Sequence, residues 1–279
     1  MQIEIRHASK SFPHNGNPVE VLRDINLTVS VGEFVCLLGP SGCGKSTIVN
    51  LIAGLEKPDA GQVLVDGQAV DGPGPSRVVV FQDSALFPWL SVFGNVEFGL
   101  RMAGLSKSER HEQVLEAIKV VHLSKFVNTF PHQLSGGMKQ RVAIARALVM
   151  QPKVLLMDEP FGSLDSQTRS ILQEELLEVW HDTRTTVFFV THNVREATGL
   201  ADRVYEISSR PGRIKRMYRI DVARPRLAAD PVLLAIQRRI LESLGEEIAK
   251  VMQDELGEAI HIPEAERLLA PDRSLGMHI

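Results

Sequence analysis

Apolar and polar side chains alternate along residues 2–12 and again along 19–29, with the polar stretch Pro13-His14-Asn15-Gly16-Asn17-Pro18 between them. A repeat of two belongs to a strand with one buried face, so the pattern predicts an antiparallel hairpin. The next run, Glu33-Phe34-Val35-Cys36-Leu37-Leu38, is short, apolar and bounded by glycines, as a buried parallel strand should be. Ile48–Ala53 continues as a helix stopped by Gly54, residues 60–70 form a strand pair around Asp66-Gly67, and Arg77–Phe81 is a compact buried strand ending at Gln82. From Gly94 to Met150 the period becomes helical. Residues 106–120 place Val114, Leu115 and Ile118 at helical spacing with Val121 just beyond, behind a Ser106/Glu109 capping box. Strands resume at Lys153–Asp158 and Thr186–Val190, with a helix over 166–181 between them, and 203–208 and 213–220 flank the turn Arg210-Pro211-Gly212. After Arg224-Pro225-Arg226 the composition shifts. Asp230-Pro231 opens a long amphipathic helix with Ile236, Ile240, Leu244, Ile248, Met252 and Leu256 on one stripe, suited to docking on its own domain or on a partner subunit.

Strand, helix, strand at this spacing predicts a parallel α/β sheet, preceded by an antiparallel β subdomain and interrupted by a helical insert at about 88–150. The main unit is expected to span 1–222, with a helical extension over 223–279. At 279 residues and 44% hydrophobic content the chain suffices for one large core or two modest ones. A formal charge of −3 asks for neither nucleic acid nor an anionic membrane as partner. No apolar run approaches the ~18 residues that span a bilayer, and the first residues lack a signal-peptide plan, so a cytoplasmic location is expected. Two cysteines, Cys36 and Cys43, suit a reducing compartment. The basic residues Arg210, Arg213, Lys215, Arg216 and Arg219 read most simply as a solvated sheet edge, in preference to an anion-binding role.

The candidate chemistry begins at Gly39-Pro40-Ser41-Gly42-Cys43-Gly44-Lys45-Ser46-Thr47, which fits G-x-x-x-x-G-K-[ST] between a predicted strand and a predicted helix. Glycines there let several backbone N–H groups converge on phosphate oxygens at the positive end of the helix, with Lys45 reaching the β and γ phosphates and Ser46 ligating Mg²⁺. The same amides and Lys45 are expected to favour a thiolate at Cys43. This is the loop of a P-loop NTPase. The choice among such enzymes rests on a second glycine-rich helix start, Leu134-Ser135-Gly136-Gly137-Met138, an anion site with no lysine of its own.

With that stretch the chain resembles the ATP-binding cassette family, whose signature LSGGQ is matched except for Met at the last position; Met138 lacks the amide donors of Gln. Val154–Glu159 is similar to the family's Walker B strand, which implies Asp158 beside Mg²⁺ and Glu159 beside the attacking water. Ser163-Leu164-Asp165 resembles the D-loop, which contacts the second subunit, and Asp165 also reads as a helix N-cap. His192 resembles the switch histidine that touches the γ phosphate, Gln82 the glutamine that senses Mg²⁺ and water, and Phe12 the adenine-stacking aromatic, where Tyr is usual. The resemblance runs over about residues 1–222. Two further stretches, Phe81–Leu90 and Ser208–Ile214, resemble the nitrate/sulfonate/taurine group of bacterial importers.

What the resemblance implies is an ATPase that powers import of a small anion. Two copies face head to tail, each ATP lying between Lys45 of one and Ser135, Gly136 and Gly137 of the other. The loop after Gln82 passes the motion to an integral membrane permease, served by an external solute-binding protein, and the subunit lies on the inner face of the membrane. The apolar loop Leu86, Phe87, Trp89 and Leu90 reads as the permease-facing surface. The rival is a soluble cassette ATPase acting on nucleic acid or ribosomes, whose usual second cassette or long coiled-coil insertion is missing here. A small-molecule kinase would share the phosphate loop but have no use for Leu134–Gly137.

Overall fold

A computed structural model describes residues 2–162 and 164–256. Two sheets carry the chain. The first is antiparallel, in the order β2-β1-β4-β5, formed by β1 (Ile3–His14), β2 (Asn17–Val29), β4 (Ala60–Val65) and β5 (Gln68–Ala69). The hairpin β1–β2 is as the alternation predicts but longer: Pro13 pairs Pro18 and His14 pairs Asn17, which leaves only Asn15-Gly16 as the turn, both at positive φ. Asn and Gly tolerate that backbone, so two residues suffice.

The second sheet has the order β10-β9-β3-β8-β7-β6, comprising β3 (Phe34–Leu38), β6 (Arg77–Val80), β7 (Val154–Asp158), β8 (Thr186–Thr191), β9 (Arg203–Ile207) and β10 (Ile214–Arg219). Five strands run parallel, and only β10 is antiparallel to its neighbour. β3 lies between β8 and β9 with every residue buried: Phe34, Cys36 and Leu38 face one apolar layer, Val35 and Leu37 the other. Arg77–Phe81 was expected to be buried throughout, but β6 ends the sheet, stops at Val80 and leaves Phe81 42% exposed. An edge strand has only one neighbour to cover it.

Helix α1 (Lys45–Ala53) packs under β6 and β7. The other layer holds α4 (Gly136–Leu148), α5 (Ser166–Thr183) and α6 (Val194–Leu200), and α2 (Val92–Met102) and α3 (Lys107–Val120) join α4 to make the helical insert. The Ser106/Glu109 capping box is formed, each side chain meeting the other's backbone N–H. Helix α7 (Pro231–Leu256) opens on Asp230, whose Oδ1 accepts from Val232 and Leu233 N–H, and it buries Leu233, Ile240 and Leu244 in the core of its own chain. The described part of its stripe, Ile236, Ile240 and Leu244, packs on its own chain. The side chains of Ile248, Met252 and Leu256 lie outside what is described, as does Ser163.

Candidate nucleotide site

The carboxyl ends of four parallel strands deliver the candidate residues to one place. The phosphate loop follows β3, Gln82 follows β6, Asp158 ends β7 with Glu159 next, and His192 follows β8. In open α/β sheets this edge is where ligands bind. An open cleft of roughly 390 Å³ there is lined by Ser41, Gly42, Gly44, Lys45, Ser46 and Thr47 of the loop, by Gln82, Asp158 and Glu159 opposite, and by Phe12 and Val21 from the antiparallel sheet.

The loop's shape follows from its glycines. Gly42 (φ 75°) and Gly44 (φ 98°) hold left-handed conformations, and a Cβ at Gly44 would fall 2.6 Å from Leu22. Gly44 is also the N-cap of α1 and has no side chain to offer the helix, so the first amides of α1 stay open toward the cleft. Lys45 Nζ donates to the carbonyls of Gly39 (3.0 Å) and Pro40 (2.9 Å) and lies 3.5 Å from Glu159 Oε1. Gly39 and Pro40 thus stand behind the loop and park the lysine. Cys43 belongs to the loop through its backbone only. Its thiol is 1% exposed in the core, and burial pushes its pKa up against the pull of Lys45, so the expected thiolate is overturned.

Opposite the loop, Asp158 Oδ1 is a buried acceptor with no hydrogen-bond partner among the described residues. Burial raises this carboxyl above the ordinary aspartate value, and the Ser46 side chain pulls it part of the way back. A buried orphan oxygen beside a serine hydroxyl at the mouth of a phosphate cradle suits a small hard cation that keeps waters and phosphate oxygens as its remaining ligands. No group of three or more His, Cys, Asp or Glu that would cage a metal by itself occurs among the described residues. Glu159 takes a positive φ (47°), rare for a residue with a Cβ, and is held by its N–H to Val190 O (3.0 Å) and its carbonyl from Gly162 N–H (3.1 Å). Its Oε2 lies 3.0 Å from His192 Nδ1, so one carboxylate bridges Lys45 and His192.

Ser135, Gly136, Gly137 and Asp165 do not join this cleft. Ser135 caps α4, accepting from Met138 N–H (3.3 Å), and with Gly136 faces solvent. Gly137 is buried where a Cβ would stand 2.7 Å from Thr168 Cγ2, while Asp165 caps α5, accepting from Thr168 N–H (2.9 Å). These residues form a second surface, with Leu164 packed beside Gly136. Met138 turns inward against the core, so its missing amide leaves no gap on that surface.

Two residues at the site are given no place in it by the sequence pattern. Arg210, assigned there to a solvated sheet edge, lines the cleft and donates to Gly42 O (3.0 and 3.2 Å). Arg146 of α4 donates to the carbonyls of Ser84 and Ala85 (2.8 Å each), tying the segment after Gln82 to the helix that Ser135 begins. Of the apolar loop, Trp89 is 70% exposed, but Leu86 packs on the core and Phe87 lies against Phe98 with ring centroids 4.5 Å apart.

Comparison with known proteins agrees with this geometry. The ABC transporter family profile matches residues 22–162. The nitrate import ATP-binding protein NrtD of Synechocystis is 49% identical over 222 residues, covering 80% of this chain and 84% of its own. The taurine import ATP-binding protein TauB of Pseudomonas aeruginosa is 42% identical over 258 residues, covering 92% and 95%. Among solved structures, a dimeric ATP-binding cassette in a post-hydrolysis state, bound to ADP and phosphate, superposes with a TM-score of 0.69 at 32% identity over 79% of this chain and 100% of its own.

Proposed function

Since the chain belongs to the ABC transporter family as an ATP-hydrolysing cassette of the import type, we propose that two copies close head to tail and power a membrane permease that imports a small anion of the nitrate, sulfonate or taurine kind. The observation that carries this reading is the division of the chemistry into two surfaces. Lys45, the open amides of α1 and the acidic pair Asp158 and Glu159 lie in one cleft, whereas Ser135 offers a solvent-facing helix start that no part of that cleft uses. A head-to-tail pair brings the two together twice. Residues 1–222 would act as the nucleotide-binding unit, with 223–279 as its extension.

In this reading Phe12 stacks on the adenine, the amides of residues 42–47 and Lys45 hold the phosphates, and Ser46, Asp158 and Gln82 hold Mg²⁺, which when bound neutralises phosphate charge. Glu159 polarises the attacking water. The water oxygen forms a bond to the γ phosphorus as the bond to the β-γ bridging oxygen breaks, ADP departs, and the water's proton passes to the Glu159 carboxylate. His192, already 3.0 Å from Glu159, orients that carboxylate and contacts the γ phosphate. Asp165 meets the facing subunit. Trp89 and the segment after Gln82 meet the permease on the inner face of the membrane, where an external solute-binding protein supplies the solute from the other side. No helix among the described residues is long and apolar enough to cross a membrane, and in this reading the transport path belongs to the permease. Nothing in the site or its relatives favours nucleic acid or ribosomes as the partner.

Glu159→Gln tests the scheme. The substitution keeps the volume and removes the negative charge facing Lys45 and the γ phosphate, so ATP binding should persist or tighten while turnover falls by ~10²-fold or more. Size-exclusion chromatography with ATP should then show a nucleotide-dependent dimer. Hydrolysis at the parent rate would remove Glu159 from the chemistry.

A further inference from the structure

The turn Arg210-Pro211-Gly212 is gripped from three sides. Gly212 exchanges backbone hydrogen bonds with β2, its N–H to Val21 O (2.8 Å) and its carbonyl from Arg23 N–H (3.0 Å), and Val21 itself lines the cleft. Its Cα sits so close to the phosphate loop that a Cβ would stand 2.3 Å from Cys43 O. On the far side, Glu247 of α7, 3% exposed, accepts from both Ser209 N–H (3.0 Å) and Ser209 Oγ–H (3.1 Å) through Oε2. Its Oε1 lies 3.1 Å from Lys215 Nζ, and Lys215 also donates to Ser243 O (3.2 Å). Behind these, buried Glu206 accepts from Ser243 Oγ–H (2.6 Å) and Tyr218 O–H (2.8 Å). A buried polar network therefore runs from α7 to Ser209, and the next residue is Arg210.

Arg210 is the other cation of the cleft. Lys45 is engaged by two carbonyls and Glu159, whereas Arg210 spends two N–H groups on the single carbonyl of Gly42 and has no carboxylate within ion-pair distance among the described residues. A guanidinium carries five N–H donors in a planar fork, so donors remain for phosphate oxygens at the loop. From these contacts we propose that Arg210 binds the phosphates of the nucleoside di- or triphosphate, and that Glu247 of the C-terminal helix is the positioning residue that sets it there. The proposal rests on the cleft being the ATP site. It gives the helix beyond the catalytic strands a route to the nucleotide: displacement of α7 would loosen Ser209 and with it one of the two cations.

Isothermal titration of the full chain with Mg-ADP, alongside steady-state ATP hydrolysis, tests both halves. Arg210→Ala should weaken Mg-ADP about tenfold and raise KM for ATP more than it lowers kcat, with a shallower dependence of affinity on salt; Arg210→Lys should recover part of the loss. Glu247→Gln should weaken binding a few-fold in the same sense, and in the Arg210→Ala background it should add nothing. Parent-like Mg-ADP affinity in Arg210→Ala overturns the assignment of Arg210, and additive effects overturn the link to α7. If Arg210→Ala is misfolded by circular dichroism, Arg210→Gln decides in its place on the same criteria. Failure of the underlying site is distinct: the parent would not bind Mg-ADP, or Lys45→Ala would bind it as the parent does.

Discussion

Asn95, at the start of the helical insert, is fully buried and holds the loop that presents Trp89. Its side-chain oxygen accepts from Phe87 N–H (2.8 Å), and its amide donates toward the carbonyls of Phe87 (3.2 Å), Leu90 (3.0 Å) and Ser91 (3.0 Å). Two amide hydrogens cannot serve three carbonyls fully, so about three bonds are made in all. In Asn95→Ala, Phe87 O keeps the N–H of Leu90 and Ser91 O keeps the N–H of residue 95, so the net loss falls on Phe87 N–H and Leu90 O. Two part-buried groups left unpaired cost about 1–2 kcal/mol each, reduced where water reaches them, for a total of roughly 2–3 kcal/mol. For a chain of this size that lowers the midpoint of thermal unfolding by about 4–12 °C. Thermal melts with urea titration measure the stability, and capture of the proposed permease from detergent-solubilised membranes reads the loop. Both should fall although Trp89 itself is intact. A stability change within 0.5 kcal/mol together with undiminished capture would refute the claim that Asn95 fixes this loop.

Trp89→Ala should behave differently: with the ring 70% exposed, stability should change by less than about 0.5 kcal/mol, while permease capture weakens roughly 30-fold or more if the ring anchors the interface. Unfolding of the variant would place Trp89 in the core. Because Cys43 is buried with a raised pKa, iodoacetamide should label neither cysteine of the native protein at an appreciable rate, with or without Mg-ATP, and both after denaturation; rapid native labelling that Mg-ATP blocks would contradict the burial. Glu196 is buried behind His192, accepts from Thr191 Oγ–H and from Gln173 Nε2–H (2.8 Å), and burial raises its pKa above the ordinary glutamate value despite those bonds. A raised folded-state value means the stability it contributes is full below the unfolded-state pKa and is lost as pH rises through the folded one. Glu196→Gln should therefore gain in melting temperature over the parent as pH climbs from the ordinary carboxylate range toward neutrality; a pH-independent difference between the two would rule this out.

The sequence by itself determined the elements and the main chemistry, because both rest on local pattern. The alternation in β1 and β2, the unbroken apolar run of β3, the Ser106/Glu109 box and the glycine spacing around Lys45 each encode a backbone conformation within a few residues, and the structure has them all. Gln82, Asp158, Glu159 and His192 lie at or just past the ends of strands that the periodicity marks, and parallel strands deliver their ends to one edge, but their roles came from the resemblance of their motifs to the family's. What only the tertiary structure decided depends on which side of an element faces which neighbour. The β6 run looks as apolar as β3, yet its place at the sheet's end leaves it half covered. Cys43 is one of nine residues in a phosphate loop by sequence, but the turn at Gly42 and Gly44 leaves its thiol in the core. Arg210 is one of five basic residues in a short stretch, and nothing local separates it from Lys215. Packing on β2, the phosphate loop and α7 turns one toward the nucleotide cleft and sets the other beside Glu247, since side-chain direction is set by contacts between segments as far apart as residues 42 and 210.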